Sequence, residues 1–312
     1  MNAIYDILGV PFGFVLRLIF NTVGNYGIAL VLFTLFARLL MLPTSISQQK
    51  GTSKTQRLQP KIRKIQEKYK GDNKKIQEET QALYQREGHN PMNAGCLPLL
   101  IQMPIIFGLI AVIYKPLTYA LQIDSEHIAA LTSAVKVLLK DSPDLLKNTR
   151  TIELTIIEHI RDLKSTAGSV YSKISEFKFT FLGLPLGQTP DKGHFDKLWA
   201  VPILSGLSSF ASSIFTFFKQ KQTNPEMSKN PAMGCMTFGM PLFSTYFTFM
   251  FPVGIGIYWI ASNVFAFIQT VILSYTHSPK KMIAKLMIEE TVQRRSNEEN
   301  LKLVASRKEK QS

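Results

Sequence analysis

The sequence predicts an all-α integral membrane protein: a five-helix transmembrane bundle with a polar groove, an N-terminal interfacial helix and a cytoplasmic αα-hairpin. Three observations lead there. The 312 residues are 46% hydrophobic with 21 Phe, yet the net charge is +14. The apolar residues stand in uninterrupted blocks with the charges between them, whereas a soluble domain would spread them in amphipathic patterns. Polar side chains, one of them an arginine, recur inside the blocks. Cys96 and Cys235 provide no disulfide framework and the five His no zinc spacing, so no metal or cofactor is expected.

The elements follow in chain order. Residues 1–23 lack a basic leader region, a small-residue cleavage site and a lipid-modified cysteine, and read as part of the mature chain. Their apolar core, Phe12 to Phe20, is too short to span and is interrupted by Pro11, Gly13 and Arg17, which predicts an interfacial helix. The first span, within 24–44, runs from Gly24 to Leu42 and stops at Pro43. The others cover 95–114, 199–218, 236–251 and 252–274. Only "FPVG", residues 251–254, separates the last two, which predicts a tight antiparallel pair. The fourth has 16 residues, roughly 24 Å of helix, which predicts local bilayer thinning.

Segment 45–94 carries 11 Lys/Arg against 5 Asp/Glu. Leu58, Ile62, Ile65 and Tyr69 form one helical stripe, "KGDN" at 70–73 is a turn, and Ile76 and Leu83 continue a stripe on a second helix. This is the expected hairpin. Loop 219–235 is short and basic, and the tail 275–312 carries 9 Lys/Arg against 5 Asp/Glu. Segment 115–198, with 11 against 10, is near neutral. The bias of basic residues toward the cytoplasm then puts the hairpin, the short loop and the C-terminus inside, and the N-terminus and the 115–198 loop outside. In that outer loop "HIAALTSAVKVLLK" and "TIELTIIEHIRDL" are amphipathic; either could be a surface helix, and spacer helices without a dedicated partner are the favoured reading.

Arg38, in "FTLFARLLMLP", lies about one turn from the end of the first span. Two readings stand. It snorkels over roughly 6 Å to the interface, or it faces water inside the membrane, because a cation in hydrocarbon costs roughly 2.5–3.5 kcal/mol at mid-helix. Ser205, Ser209, Ser212, Ser213 and Thr216 form a hydroxyl stripe on the third span. Small residues also serve helix packing. Gln102, Asn263 and Gln269 add polar groups, of the kind that face a bundle interior or cavity. No Asp or Glu lies in any span, which leaves Arg38 without a visible acidic partner. Trp259 and Tyr258 have a competing reading as packing or belt residues, at least equal in weight for Tyr258.

The runs "VGNYGIALVLFTLFARLLMLP", "LQPKIRKIQEKY", "NPMNAGCLPLLIQMPIIFGLIAVI", "FLGLPLGQTP" and "FPVGIGIYWIASNVFAFIQ" together resemble the YidC/Oxa/Alb family of membrane protein insertases. The resemblance covers roughly 11–123 and 176–275 and is to the compact five-span form, without a large extracytoplasmic domain. It implies a hydrophilic groove open to the cytoplasm and to lipid, with Arg38 at the family's arginine position and Gln102 and Trp259 in the shared pattern. Some members carry glutamine where this chain has Ser212.

The implied function is passive insertion: hydrophobic segments of nascent membrane proteins pass through the groove into lipid without nucleotide hydrolysis. The expected groove residues are Arg38, Gln102, Ser205, Ser209, Ser212, Trp259 and Asn263. No phosphate loop or catalytic triad pattern is present, so no enzyme activity is expected. A small-solute or anion transporter using Arg38, or a membrane assembly scaffold, are the rival classes. Expected partners are nascent membrane proteins, membrane lipids and the ribosome, with the Sec translocon left open as a neighbour and DNA not expected. Ribosome contact would run through Lys280, Lys281, Lys285, Arg294, Arg295, Arg307, Lys308 and Lys310 of the basic tail, whose alternative role is a topology signal.

Overall fold

The structure is a computed structural model and describes residues 2–88, 97–140, 151–223 and 231–309. In chain order the longer helices are α1 (Asn2–Val23), α2 (Tyr26–Leu40), α3 (Leu42–Lys68), α4 (Asn73–Arg86) and α5 (Leu97–Tyr114). There follow α6 (Pro116–Tyr119), α7 (Ser125–Leu138), α8 (Ile152–Glu158), α9 (Lys164–Ala167) and α10 (Tyr171–Ser175). The last four are α11 (Ala200–Thr223), α12 (Pro231–Thr248), α13 (Val253–Thr276) and α14 (Pro279–Glu309). Strands β1 (Thr180–Phe181) and β2 (Leu184–Pro185) pair antiparallel; helix makes up 81% of the structure. Two described helices are long and apolar enough to cross a membrane, Lys197–Lys219 and Val253–Thr276, and α2 with the helix after it adds a third if the two form one broken span.

Several boundaries differ from the sequence expectation. The first span breaks at Met41, and Pro43 lies in the first turn of α3, where its missing N–H costs nothing. The proline therefore opens a helix instead of ending one. The α12 helix has 18 residues, about 27 Å, so the shortness that predicts thinning belongs more to α2, with 15 residues, about 22 Å. Helix α1 continues through Pro11, and its apolar residues divide between two sides. Leu16 is buried, whereas Ile7, Val10, Phe14 and Leu18 are exposed.

The chain divides into two compact units, residues 1–41 with 99–268, and residues 42–98 with 269–312. In the first, pairwise contacts set the directions of five helices. Tyr26 Oη donates to the Val112 carbonyl at 3.0 Å, joining the start of α2 to the end of α5. Gly254, at the start of α13, also lies against Ile113 of α5. Ser205 and Ser244 share a hydrogen bond at 2.8 Å, joining the start of α11 to the end of α12. A side chain on Gly206 would overlap Thr245, so these two helices approach closely. Val201 lies on Gly256 and Phe215 packs edge-on to Phe267 at 5.4 Å, so α11 and α13 run parallel. Helices α2, α11 and α13 thus run one way, α5 and α12 the other. Leu32, Leu35, Phe36, Leu204, Leu207, Leu242, Phe243 and Ile268 are exposed, outward apolar side chains on four helices in the number that lipid, and not water, accommodates.

The segment after α5 folds on itself. Leu131 and Val135 of α7 and Leu154 and Ile156 of α8 are buried, with Leu117, Ile174 and Leu186. The amphipathic stripes of α7 and α8 are therefore spent on a local core. Glu153, only 4% exposed, accepts hydrogen bonds from Thr118 N at 3.0 Å and Thr118 Oγ1 at 2.6 Å.

In the second unit α3 packs against α4 and α14, and Ser53, Leu58 and Ile62 are buried. Ser53 Oγ contacts Met282 Sδ at 3.8 Å. Asp72 caps α4 by accepting from Lys75 N at 3.0 Å, and Lys61 pairs with Glu87 across the turn.

Burial holds the Glu153 carboxyl above the usual carboxylate range, against the opposing hydrogen bonds from Thr118 and Leu117 and the field of Lys115. A carboxyl raised in the folded state binds its proton more tightly there than when unfolded. Stability is therefore highest below the ordinary carboxylate range and falls as pH rises through the raised value. Thermal unfolding of the purified protein in detergent should show this acid-side gain, and Glu153→Gln should flatten it. An unchanged pH profile in the variant would remove Glu153 as its source.

Candidate functional site

Helices α2, α5, α11, α12 and α13 contain no Asp or Glu. Any cation or unpaired donor inside them must be met by neutral groups. On α2 that cation is Arg38, half-buried, one turn beyond the buried Thr34. Its Nη2 donates to Ser262 Oγ of α13. One turn earlier on α13 is Tyr258, 3% exposed, whose hydroxyl accepts from Gln102 Nε2 of α5 at 2.6 Å. The Ser262 hydroxyl stands one turn from that of Tyr258, on the same face of α13. Three helices meet in two bonded pairs: Arg38 with Ser262, and Gln102 with Tyr258.

The count of donors decides what this arrangement can do. A guanidinium offers five N–H donors and no acceptor, and an amide offers two. Between them stand two hydroxyls. Each hydroxyl accepts one of these bonds and keeps its own hydrogen to donate. The cluster therefore has surplus donors and a full positive charge, and it suits an incoming acceptor such as a carboxylate or a peptide carbonyl.

The other expected residues lie elsewhere in the same unit. Asn263 Nδ2 donates to Ser208 Oγ at 3.2 Å, and Ser212 Oγ approaches the Asn263 carbonyl at 3.5 Å. Ser205 is fully buried against Ser244. These groups join α11 to its neighbours, which is helix packing by small polar residues. Ser209 is half-buried on the same helix. Trp259 stacks on Phe247 of α12, ring centres 4.8 Å apart, beside Phe251. The structure thus brings Arg38 and Gln102 together and sets Ser205, Ser212, Asn263 and Trp259 in helix contacts. On the tail, Lys281, Lys285, Arg294 and Arg295 are exposed along α14, which also carries positions 280, 307 and 308; Lys310 lies outside the described residues.

Sequence reasoning weighed Tyr258 as packing and passed over Ser262. A signal was present: the two stand four apart, hence on one face of α13, while Trp259 and Asn263 form the adjacent stripe.

Outward apolar faces combined with a half-buried cation bonded to a serine are those of a membrane-embedded helical protein. The family model described as 60Kd inner membrane protein matches residues 18–281, and the chain belongs to that family, YidC/Oxa. Among its relatives is the membrane protein insertase YidC of Oceanobacillus iheyensis, 30% identical over 283 residues, covering 86% of this chain and 81% of that protein. Membrane protein insertase MisCA of Bacillus subtilis is 28% identical over 256 residues, covering 81% and 71%. Membrane protein insertase YidC 2 of Listeria innocua is 27% identical over 289 residues, covering 91% and 76%.

The two polar groups should separate on mutation. Asn263→Ala should lower thermal stability by about 0.6 kcal/mol, at most ~1.7, the usual range for interhelical hydrogen bonds in membranes. Its effect on insertion should be the same for every substrate. Ser262→Ala should leave stability closer to wild type but slow an acidic substrate more than a neutral one, because it removes the oxygen that holds Arg38 in place. Thermal melts together with insertion assays on charged and neutral substrates distinguish the two.

Proposed function

We propose that the chain is a membrane protein insertase whose donor-rich cluster on α2, α5 and α13 receives the translocated end of an incoming segment. The single observation that carries this reading is Arg38 bonded to a serine, in helices that contain no carboxylate. A cation placed there at a desolvation cost and left without a counter-charge is suited to borrow one from its substrate. In an environment of effective dielectric about 20, a carboxylate at 4 Å is attracted by about 4 kcal/mol. Even a third of that is roughly tenfold in rate.

In this reading the five apolar helices are the five spans, a count supported by their alternating directions. The remaining boundaries are those expected from sequence: a surface-lying 1–23, a cytoplasmic hairpin at 45–94, an outer segment at 115–198, a cytoplasmic loop at 219–235 and a cytoplasmic tail at 275–312. The groove is lined by Arg38 and Gln102 with Ser262 and Tyr258, and its walls include Ser205, Ser209, Ser212, Trp259 and Asn263. An acidic, hydrophilic tail enters, Arg38 attracts it, and the following apolar segment moves sideways into lipid. That transfer supplies the driving force, about 25 cal/mol per Å² of apolar surface, and no nucleotide is consumed. The N-terminus lies outside and the C-terminus inside. The hairpin captures clients, and the basic α14 contacts ribosomal RNA through Lys281, Lys285, Arg294 and Arg295 with the basic residues around them. The Sec translocon is a natural neighbour for such a site.

Reconstitution in liposomes tests the reading. The purified protein should insert a single-span client and pass no small anions; solute flux without insertion would favour a transporter, and neither activity a scaffold. With matched acidic-tail and neutral-tail clients, Arg38→Ala should slow the acidic client about tenfold and spare the neutral one. Arg38→Lys should retain much activity because a diffuse tail needs charge more than a planar fork, and Arg38→Glu should be worst. Equal insertion by all variants would return Arg38 to snorkelling. Separately, truncation at Thr276 should reduce salt-sensitive ribosome co-sedimentation; equal binding by both forms would refute a role for the tail.

A further inference from the structure

The first N–H groups of a helix have no partner within it, and near lipid they must find one in the protein. On α2 the cap residue Asn25 meets Ile28 N through its Oδ1 at 3.0 Å, and the very first N–H groups of α2 and α13 are met by one short segment, residues 177–188. Tyr26 N donates to the Lys178 carbonyl at 3.2 Å. Val253 N donates to Gln188 O and Gly254 N to Leu186 O, both at 2.8 Å. The segment is stiff between these points. Leu186 N bonds Phe179 O at 3.1 Å, beside the β1–β2 ladder pairing Thr180 with Pro185 and Phe181 with Leu184. Two side-chain contacts lock it further. Phe181 lies directly on Gly27, where an added Cβ would overlap the Cβ of Phe181, and Phe177 and Phe179 pack on the Tyr26 ring at 5.3 and 5.2 Å. At the other helix a Cβ on Gly254 would press on the Leu186 carbonyl at 3.3 Å.

This clasp determines what happens far along the helices. Arg38 is twelve residues beyond Tyr26, about 18 Å; Ser262 is eight beyond Gly254, about 12 Å. Helical side chains lean back toward the N-terminus, and an arginine spans the remaining ~6 Å, about one turn. The contact therefore forms only when the two helix starts are level. A slip of one residue moves Arg38 by about 1.5 Å along the axis and about 100° around it, away from Ser262.

We propose that residues 177–188 are a positioning clasp: by docking carbonyls 178, 186 and 188 on the first turns of α2 and α13, they set the register that delivers Arg38 to Ser262. Gly27 and Phe181 are its positioning residues. They touch no client. The register claim stands on the contacts above; its consequence for clients rests on the proposed role of Arg38.

The test reads both. Spin labels are placed at Leu39 on α2 and Val264 on α13, both exposed, in full-length protein with Cys96 and Cys235 replaced by Ser, and their separation is measured by pulsed electron resonance in liposomes. Gly27→Leu, which wedges the clasp, and Phe181→Ala, which loosens it without a wedge, should each shift or broaden the distance by about one residue's rise, ~1.5 Å, or more. Both should slow the acidic-tail client toward the level of Arg38→Ala and spare the neutral one, and neither should slow it further in an Arg38→Ala background. An unchanged distance in both variants overturns the clasp. So does equal loss for the two clients, which marks a merely structural defect. If the distance shifts while Arg38→Ala itself leaves the acidic client untouched, the register stands and the reading of Arg38 falls.

Discussion

A half-buried guanidinium set among helices without a carboxylate is the constraint from which much of the remaining structure follows. Had Arg38 met an Asp, the pair would have closed on itself, and its attraction would have been used in folding. Facing a serine, it retains most of its donors. In the proposed function the site is polar enough for the cation to exist, yet unsatisfied enough to attract. Ser262, Tyr258 and Gln102 strike that balance with neutral groups on two helices.

The same economy explains why the polar residues of the helices divide into two populations. Ser205, Ser208, Ser212 and Asn263 bond to one another or to neighbouring backbone. Their gain is close approach, as at Gly206, and their donors are used up. The Arg38 cluster is the opposite case, with donors left over. Hydroxyls occur in both populations, so residue type alone does not distinguish them; the balance of donors and acceptors does.

Much of the helical order was legible in the sequence because the hydrophobic blocks are long and the solvent dictates them. Helices lie over the five apolar segments, although α2 stops at Leu40 and α12 runs Pro231–Thr248, and the turn near 70–73 and the stripe carrying Leu58 and Ile62 appear where periodicity puts them. The misses have a common cause. Periodicity reports which residues share a face and is silent on what the face meets. Ser262 is 224 residues from Arg38, and nothing local ties them. The break at Met41 was hidden because Pro43 serves a helix start as readily as a stop. The serine stripe on α11 was visible, but whether it faced a cavity or a neighbour depended on Ser244 and Asn263, across helix interfaces.

The segment before α11 shows how far such a long-range condition can reach. Its sequence is "FKFTFLGLPLGQ", and its aromatic side chains account for only part of its docking on α2. What it supplies is backbone carbonyls, which every residue has and no composition reveals. Helix starts at a membrane boundary need those carbonyls, and two helices supplied by one short ladder cannot slide independently. A requirement of solvation, that no N–H be left unpaired near lipid, thereby becomes a requirement of register. Because Arg38 reaches its serine only within about one turn, register in the proposed clasp decides whether the cation meets Ser262. The chemistry at one level of the helices is thus tied to hydrogen bonding at their starts, through nothing more than the rigidity of α2 and α13.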